Sequence, residues 1–322
     1  MEWPARSASR APSDGPRGLY DGLAGSAWLL HRQGHAEAAN LIDRILAGPF
    51  PASPGLFGGL TGIAHLFLDA NLKDEGLRLA ERVRELVGRP GLLDRPGLMN
   101  GWSGPAVLFA RCAEATGDVE WAQAAEQAVR CDLRFARDLD GMLQMHSSNR
   151  LLPYLAEGSG GVALAALALL AAQAEAVDAD AIVAGASAGA VRLVIQGGLF
   201  SGRAGLAYVL SHALLRLPDR RGELDDHLRA LALHVAPHDG ALVLYGDQLV
   251  RFSTDLATGS AGAIIALKAA RTPGSCLLPG GHSTQGWPPA GRTATGDPTG
   301  LDRVTSHAER SRSAGAGRGD RG

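Results

Sequence analysis

The feature that most constrains this chain is a pair of glycines, spaced Gly-x-x-Gly, that opens a helix-forming run and occurs in this context six times in 322 residues. Successive pairs lie roughly 40 to 60 residues apart, and self-similarity at such a period indicates a repeat architecture. Each pair precedes a stretch of small or apolar residues without proline. The pairs are Gly22/Gly25, Gly59/Gly62, Gly101/Gly104, Gly158/Gly161, Gly202/Gly205 and Gly259/Gly262.

Two kinds of predicted helix alternate along the chain. Segments that follow the glycine pairs are apolar on nearly all sides, so we expect them to be buried inner helices. They are residues 24–31, 63–70, 107–115, 162–172, 206–215 and 263–270. Most of the segments between them carry charges on one side and apolar residues on the other, which predicts outer helices. These are residues 36–46, 71–87, 119–139, 181–194 and 223–234.

A buried helix that alternates with a half-exposed one requires two concentric layers. A closed ring of helical hairpins satisfies this requirement best, and an open superhelix satisfies it less well. The sequence therefore predicts an all-α fold, an α/α toroid with six visible repeats. Residues 140–146 and 241–251 break the helical pattern and predict short strands or β-hairpins, the second with Gly246 and Asp247 in its turn.

The composition argues against several classes of function. A formal charge of -2 provides no basic field for a nucleic acid or an anionic membrane. Three scattered cysteines form no disulfide framework, which fits a cytoplasmic protein. The N-terminus has no apolar signal region, and the longest apolar run, residues 162–172, is too short to span a bilayer. Residues 1–17 and 272–322 are rich in glycine, proline, serine and arginine, so we expect a disordered leader and tail around a domain at 18–271.

Other motifs in the chain are weak. Residues 158–163 match the loose dinucleotide pattern Gly-x-Gly-x-x-Ala, but no strand precedes them and the other turns share only Gly-x-x-Gly. His234, His238 and Asp239 could form a metal set, but Pro237 breaks the helix that would align the two rings. We therefore expect neither a dinucleotide site nor a metal site from these residues.

The candidate functional residues are those at the glycine turns. In a closed ring every inner helix starts at the same end, so the six turns converge there. Converging helix N-termini would present unpaired N–H groups, which suit an anion or a developing oxyanion. The alternative is that polar residues at these turns, such as Asp21, Asn100 and Ser201, are N-caps. The catalytic candidates are Glu157, Arg203, Asp21 and Tyr154, and the candidates for substrate binding are Tyr20, Asn100, Trp102, Ser201 and Asp255.

Several of these turns carry a resemblance to a known family. The residues are Gly-Leu-Tyr-Asp-Gly-Leu-Ala-Gly at 18–25, Gly-Leu-Phe-Gly-Gly-Leu-Thr-Gly at 55–62, Leu-Ala-Glu-Gly-Ser-Gly-Gly-Val at 155–162 and Gly-Leu-Phe-Ser-Gly-Arg-Ala-Gly-Leu at 198–206. They look like the repeats of lanthionine synthetase C-like cyclases. Residues 252–262 resemble the last repeat of the cyclase domain in class III lanthipeptide synthetases, the lyase-kinase-cyclase proteins. The resemblance covers about residues 17–271 and implies an α/α toroid, normally of seven hairpins.

Two departures from that family bear on function. Six repeats are visible instead of seven, and kinase and lyase signatures are not seen, so we expect a fragment of a larger synthetase. Zinc-dependent members carry a cysteine, and then a Cys-His pair, directly before the glycines of two late repeats. The corresponding positions here are Ala156-Glu157 and Phe200-Ser201, which supply neither a thiolate nor an imidazole. The resemblance therefore implies no zinc and no other cofactor, as is typical of class III cyclase domains.

The resemblance also implies a reaction and its partners. Cysteine thiols of a ribosomally made precursor peptide add to dehydroalanine or dehydrobutyrine and form thioether rings, in class III sometimes with further closure to labionin. Attack by the thiolate generates an enolate. Without a metal, Glu157 or Asp21 is expected to take the thiol proton, while Arg203 and the helix N-termini stabilise the enolate. The kinase and lyase portions of a synthetase would be further partners.

Two other classes of function stay open at this point. The ring could hold a leader or core peptide for other enzymes without catalysing a reaction itself. An α/α-toroid carbohydrate-active enzyme would need a pair of acidic residues that flank the scissile bond. Asp21, Glu157 and Asp255 offer carboxylates at the turns, but their spacing in the sequence does not indicate such a pair.

Overall fold

In the computed structural model of this chain, the described residues are 17–20, 22–139, 142–147, 149–171, 179–188, 194–214 and 217–273. The predicted leader and tail lie outside this part of the chain except for residues 17, 272 and 273. Arg17, which the prediction assigned to the leader, is buried, and its Nη1 donates to the carbonyl oxygens of Arg44 (2.9 Å) and Ile45 (3.1 Å).

The described residues form eleven α-helices, and small antiparallel sheets lie between some of them. The helices are α1 (Leu23–Arg32), α2 (Glu37–Ala47), α3 (Leu60–Asp69), α4 (Lys73–Arg84), α5 (Ser103–Thr116), α6 (Val119–Leu133), α7 (Ser159–Ala171), α8 (Ala179–Ala188), α9 (Arg203–Ala213), α10 (Arg221–Leu231) and α11 (Ser260–Arg271). Every odd-numbered helix begins two or fewer residues after the first glycine of a pair, about three residues earlier than the sequence predicts.

The odd-numbered helices form the predicted inner layer. Each inner helix packs on the next inner helix along the chain, from α1 through α11. Each even-numbered helix, from α2 to α10, packs on the inner helix that precedes it. Every residue of α9 is buried. In α4, by contrast, Leu79, Ala80 and Val83 are buried while Arg78 and Arg82 are exposed. The prediction of a buried helix alternating with a half-exposed one is confirmed.

Two three-stranded antiparallel sheets interrupt the helices. The first contains β1 (Ala136–Leu139), β2 (Met142–Ser147) and β3 (Arg150–Leu151), and the second contains β4 (Val235–His238), β5 (Ala241–Tyr245) and β6 (Phe252–Ser253). Both predicted strand segments are therefore confirmed. The predicted outer helix 119–139 was too long, because its last four residues form β1. Asp239 and Gly240, both with positive φ, join β4 to β5, whereas Gly246 and Asp247 begin the connection from β5 to β6.

The second glycine of each pair lies so close to an earlier part of its own turn that a side chain would not fit there. A Cβ on the second glycine of any pair would lie 1.9–2.9 Å from the carbonyl oxygen of the leucine six residues earlier. These leucines are Leu19, Leu56, Leu98, Leu155, Leu199 and Leu256. The repeat is therefore Leu-x-x-Gly-x-x-Gly, and a larger residue at the last position would have to displace a backbone carbonyl.

The same close approach of the backbone provides hydrogen-bond acceptors for N–H groups at the starts of three inner helices. The N–H group of the first helical residue donates to the carbonyl seven residues earlier in α3 (Leu60 to Ser53, 2.9 Å), α7 (Ser159 to Leu152, 2.8 Å) and α9 (Arg203 to Gln196, 2.9 Å). The prediction that converging helix starts present unpaired N–H groups is therefore wrong for these helices. The N-cap interpretation is not supported either, because the N-caps of α1, α3, α9 and α11 are glycines without a side-chain bond.

Helix α5 begins differently, on a buried carboxylate of the outer helix α6. Asp132 Oδ1 accepts from the Trp102 N–H (2.9 Å), and Oδ2 accepts from the N–H groups of Gly97 (3.1 Å) and Ser103 (2.9 Å) and from Ser103 Oγ (2.6 Å). The side chain is completely buried. Burial raises the pKa of the Asp132 carboxyl to about 6, although the hydrogen bonds from Ser103, Trp102 and Gly97 act to lower it.

The largest differences in burial at equivalent repeat positions are found in the first and last inner helices. Five residues after the second glycine stand Phe67, Phe109, Ala166 and Leu210, each at most 1% exposed, whereas Leu267 of α11 is 44% exposed. Outer helices cover this position, as Trp121 of α6 stacks on Phe109 at 5.8 Å between ring centroids. Four residues after that glycine, Leu29 of α1 is 55% exposed, whereas its equivalents in the other inner helices are buried. The exposure of Leu29 and Leu267 thus goes with their place in the first and the last of the described inner helices.

We expect Leu210→Ala to lower the free energy of unfolding by about 2–5 kcal/mol, because it leaves a cavity between α9 and α10. The matched change Leu267→Ala, at the same repeat position in α11, should cost less than about 1 kcal/mol because the side chain is partly solvated. Urea denaturation followed by circular dichroism measures both. Equal losses would mean that Leu267 is covered in the folded protein.

Asp132→Ala should destabilise the protein by about 3 kcal/mol or more at pH 5. It leaves the buried N–H groups of Gly97, Trp102 and Ser103 without their acceptor, and each such orphan costs about 1–3 kcal/mol. Ser103→Ala, which removes one bond and keeps the other three, should cost only about 1 kcal/mol. Denaturant unfolding at fixed pH compares the two, and similar losses would argue against Asp132 as the cap of α5.

The same carboxyl predicts a dependence of stability on pH. Its folded pKa of about 6 lies above the ordinary 3.8, so between these values the folded protein holds a proton that the unfolded chain has lost. The unfolding free energy contributed by this group is therefore fully present below about pH 4 and is lost as the pH rises through about 6, by up to roughly 3 kcal/mol at about 1.4 kcal/mol per pKa unit. The measurement is unfolding at several pH values relative to Asp132→Asn, which cannot titrate, and a flat difference would contradict the shift.

Candidate functional site

The glycine turns are joined to one another by backbone hydrogen bonds at a single repeat position. This position lies two residues before the first glycine. In the first, third, fourth and fifth turns its N–H donates to the carbonyl at the same position of the next turn, whereas no bond of this kind is found between the described residues Phe57 and Met99. The bonds run from Tyr20 to Phe57 (3.0 Å), from Met99 to Ala156 (2.9 Å), from Ala156 to Phe200 (2.9 Å) and from Phe200 to Ala257 (3.1 Å). We call these six residues the turn collar. The predicted convergence of the turns is confirmed by this collar.

Aromatic side chains of the turn collar meet at its centre. The ring centroids of Phe57 and Phe200 are 4.7 Å apart, and those of Tyr20 and Phe200 are 5.9 Å apart. Phe57 and Phe200 are buried, whereas Tyr20 is 54% exposed and covers them from the solvent side. Three turns that are distant in sequence therefore share one aromatic floor, and Tyr20, a predicted substrate contact, lies on its open side.

A cavity of about 600 Å³ opens beside the aromatic floor, between the turns and the loop that precedes α5. Its apolar wall includes Tyr20, Phe57 and Leu93. Its polar groups include Asp94, Arg95 and Asn100. We call it the mouth cavity. It is large enough to hold one or two residues of a peptide, and it brings together two of the predicted substrate contacts, Tyr20 and Asn100.

Glu157, the leading catalytic candidate, lies in the fourth turn and bonds to groups on both sides. Its Oε1 accepts a hydrogen bond from Ser147 Oγ at the end of β2 (2.5 Å), and its Oε2 lies 3.2 Å from Arg95 Nη1. The Glu157 side chain is 18% exposed and that of Arg95 is 52% exposed. The carboxylate is thus held in place at the edge of the mouth cavity and still reaches solvent.

Arg203, the second catalytic candidate, packs between the two helical layers. Its Nε donates to His234 Nε2 (3.3 Å), and its Nη1 lies 3.4 Å from His227 Nδ1. Burial lowers the pKa of Arg203, and burial together with the Arg203 charge lowers the pKa of His234. Both imidazoles can accept from the guanidinium only as neutral rings, so Arg203 has the contacts of a group that joins α9 to α10 and the segment after it.

The structure distributes the other predicted residues among different environments. Trp102 occupies the repeat position of Arg203 and is 1% exposed in the core. Tyr154 is half-buried, and its carbonyl accepts from the Gly161 N–H (3.3 Å). Ser201 is exposed at the fifth turn, and Asp21 lies outside the described residues.

Asp255 is exposed at the sixth turn and orders it. Its carboxylate accepts from the Thr258 N–H (2.7 Å), from Thr258 Oγ1 (2.8 Å) and from Ser253 Oγ. Burial acts to raise the pKa of Asp255, but hydrogen bonds from Ser253, Thr258 and Ala257 outweigh it and lower the pKa. These contacts are those of a turn-stabilising carboxylate, and the role of Asp255 in substrate binding stays a prediction.

The expectation that this chain has no zinc site stays a prediction. Among the described residues no three His, Cys, Asp or Glu side chains lie close enough to share a metal ion. Cys112 and Cys131 are buried in α5 and α6, where desolvation raises the pKa of both thiols, that of Cys112 to about 12. At the turns, Glu157 supplies one carboxylate, whose oxygens accept from Ser147 Oγ and Arg95 Nη1, and one carboxylate alone does not make a zinc site.

Three residues of this region were not singled out in the sequence. Arg95 lies 62 residues before Glu157 in the sequence, and the loop before α5 brings it to the turn. Ser147 lies 10 residues before Glu157, at the end of β2. Asp132 could have been noticed, because it follows Ala128 and Val129 on the buried stripe of α6, where an acidic residue needs partners. In the part of the chain that the structure describes, no helix is long and apolar enough to cross a membrane.

Comparisons with known proteins agree with this architecture. No protein-family model matches the chain. A probable SapB synthase of Streptomyces coelicolor is 34% identical over 297 residues, a match that covers 83% of this chain and 31% of that protein. The chain therefore spans about a third of the length of this curated relative.

Among solved structures, nisin cyclase superposes with a TM-score of 0.59 at 14% identity, over 82% of this chain and 78% of nisin cyclase. A family 105 glycoside hydrolase of C. acetobutylicum has a TM-score of 0.46 at 11% identity, over 80% and 95% of the two chains, which is too low to support an argument. The fold is thus the α/α toroid that nisin cyclase has, and the resemblance of this chain to the lanthionine synthetase C-like family is confirmed.

Proposed function

We propose that this chain is the cyclase region of a lanthipeptide synthetase. It adds cysteine thiols of a peptide to dehydroalanine or dehydrobutyrine and so forms thioether rings. The observation that carries the proposal is the mouth cavity beside Glu157, on a turn collar built from the repeats that resemble those of the cyclases. The similarity to a SapB synthase and the toroid shared with nisin cyclase support it.

The substrate in this proposal is a ribosomally made precursor peptide that has already been dehydrated. Because the chain matches 31% of the SapB synthase, kinase and lyase portions are proposed as the partners that dehydrate the peptide. The mouth cavity is open on one side and carries apolar and polar groups together, which suits a peptide backbone with mixed side chains.

In the proposed reaction Glu157 moves a proton. Its carboxylate takes the proton of the cysteine S–H, and the sulfur then forms a bond to Cβ of the dehydroamino acid. The C=C electron pair moves toward the carbonyl and gives an enolate. Glu157, now protonated, returns the proton to Cα, so that no oxidant or reductant is consumed. An exposed edge of the carboxylate is needed for this role, and the 18% exposure of Glu157 provides it.

The class III type, without zinc, is part of the proposal. It is supported by the donor chemistry of the turns, where Ala156-Glu157 and Phe200-Ser201 offer no thiolate or imidazole. The contacts of Arg203 with two histidines favour a positioning role for this residue, which holds α9 against α10. Whether Asp21 assists Glu157 stays a prediction, because Asp21 lies outside the described residues.

We expect Glu157→Gln to lower the rate of ring formation by about 100-fold or more, since an amide cannot accept the thiol proton. Glu85→Gln, which changes an exposed carboxylate on the surface, serves as the matched control and should leave the rate unchanged. The assay incubates the chain with a dehydrated peptide that contains cysteine and follows the loss of free thiol at constant peptide mass.

Dialysis against a chelator should leave the rate unchanged if the reaction is independent of zinc. A rate that falls on chelation and returns with added zinc would contradict that part of the proposal. Binding of the dehydrated peptide without loss of thiol would instead favour a peptide-binding module that does not catalyse a reaction. Wild-type activity in Glu157→Gln would remove the assigned role of Glu157 alone.

A further inference from the structure

We propose that Arg95, rather than Arg203, binds the carbonyl oxygen of the dehydroamino acid in the mouth cavity and stabilises its enolate. The inference rests on the proposed function and assigns the enolate-binding subsite within it. It starts from the placement of the two guanidinium groups. Arg203 is 4% exposed between the helical layers, whereas the Arg95 side chain is 52% exposed and lines the mouth cavity.

The backbone fixes Arg95 against the fourth turn. The Gly158 N–H donates to the Pro96 carbonyl (2.9 Å), and the Leu98 and Met99 N–H groups donate to Leu155 (3.3 Å) and Ala156 (2.9 Å). Gly97 lies within this ladder with φ of +119°, and a Cβ there would lie 2.7 Å from the Ala156 carbonyl oxygen. These bonds flank Glu157 and directly follow Arg95, so they hold the backbones of the two residues next to each other.

The side-chain contact orients the guanidinium and leaves donors for a ligand. One N–H group of Arg95 donates to Glu157 Oε2 (3.2 Å), and Ser147 Oγ holds the other oxygen of that carboxylate. A guanidinium has five N–H donors in a planar arrangement. The bond to Glu157 therefore orients the Arg95 guanidinium and uses only one of these donors. The proton-transfer group and the oxyanion donor of the proposed reaction are therefore neighbours in space although 62 residues apart in sequence.

The charges around the cavity favour a carbonyl over a permanent anion as the ligand. Asp94 lines the same cavity, and Glu157 is bonded to Arg95, so a phosphate or carboxylate would meet two negative groups there. A peptide carbonyl is neutral when it binds and gains negative charge only as sulfur attacks. Arg95 then makes a charge-assisted hydrogen bond that is strongest in the transition state, which is what raises a rate rather than an affinity.

The test compares Arg95→Ala, Arg95→Lys and the control Arg89→Ala, an exposed arginine of the same loop that does not line the cavity. Two probes are used: a dehydrated peptide that contains cysteine, for the cyclisation rate at saturation, and its Cys-to-Ser analogue with a fluorescent label, for binding. Thermal unfolding of each variant confirms that it folds.

We expect Arg95→Ala to lower the saturated rate by about 100-fold with less than about threefold change in Kd for the analogue. Arg95→Lys should retain an intermediate rate, and added guanidinium should restore part of the rate of Arg95→Ala without affecting Arg89→Ala. A saturated rate of Arg95→Ala within twofold of the unaltered chain, or a loss confined to Kd, would overturn this assignment and leave the proposed function standing. If the unaltered chain forms no rings, the proposed function fails, and the assignment fails with it.

Discussion

The hydrogen bonds of the turn collar are the interaction on which the rest of this structure depends. Each helical hairpin buries only part of its apolar surface by itself, and repeats of this kind are stable because neighbours cover one another. Side-chain packing alone would allow adjacent hairpins to slide along their helix axes. The bonds from Met99 to Ala156, from Ala156 to Phe200 and from Phe200 to Ala257 remove that freedom, because each joins the same position of successive turns. They hold the third to sixth turns at one level, and the bond from Tyr20 to Phe57 does the same for the first two. The mouth cavity lies where the first three turns meet the loop before α5.

Side chains at equivalent positions of the glycine turns lie in similar parts of the fold. The residue two places before the first glycine supplies the collar and points toward its centre, as Phe57 and Phe200 do. The residue directly after that glycine points between the helical layers, which explains why Trp102 and Arg203 are both buried. In the fourth and sixth turns this position is serine, and Ser159 Oγ and Ser260 Oγ accept from the N–H groups of Met145 (3.0 Å) and Leu244 (2.9 Å) in the central strands. The position directly after the first glycine thus places Trp102, Ser159 and Arg203 in the interior, away from a substrate.

The sequence was sufficient for the architecture, because period and amphipathicity are local signals. Six glycine pairs and the apolar runs after them predicted the inner layer, and the interruption before the fourth and sixth turns predicted the two sheets. Contacts made across the fold could not be obtained in this way. The pairing of Glu157 with Arg95 depends on a ladder between two loops, and the cap of α5 comes from Asp132 on a different helix. Glycine spacing likewise revealed that the turns are tight, but not that carbonyls seven residues earlier accept from the helix starts.

That last contact changes what the site must contain. Helix starts at a shared end could have provided a positive potential for an enolate without any charged side chain. In α3, α7 and α9 the first N–H group donates to the carbonyl of Ser53, Leu152 or Gln196, and in α5 it donates to the Asp132 carboxylate. These four helix starts therefore offer a ligand less than their position suggests, and Arg95 is the cation among the described residues that line the mouth cavity. In the proposed reaction the charge of the enolate is therefore stabilised by the Arg95 side chain. Glu157 orients that side chain, and Ser147 in turn holds Glu157.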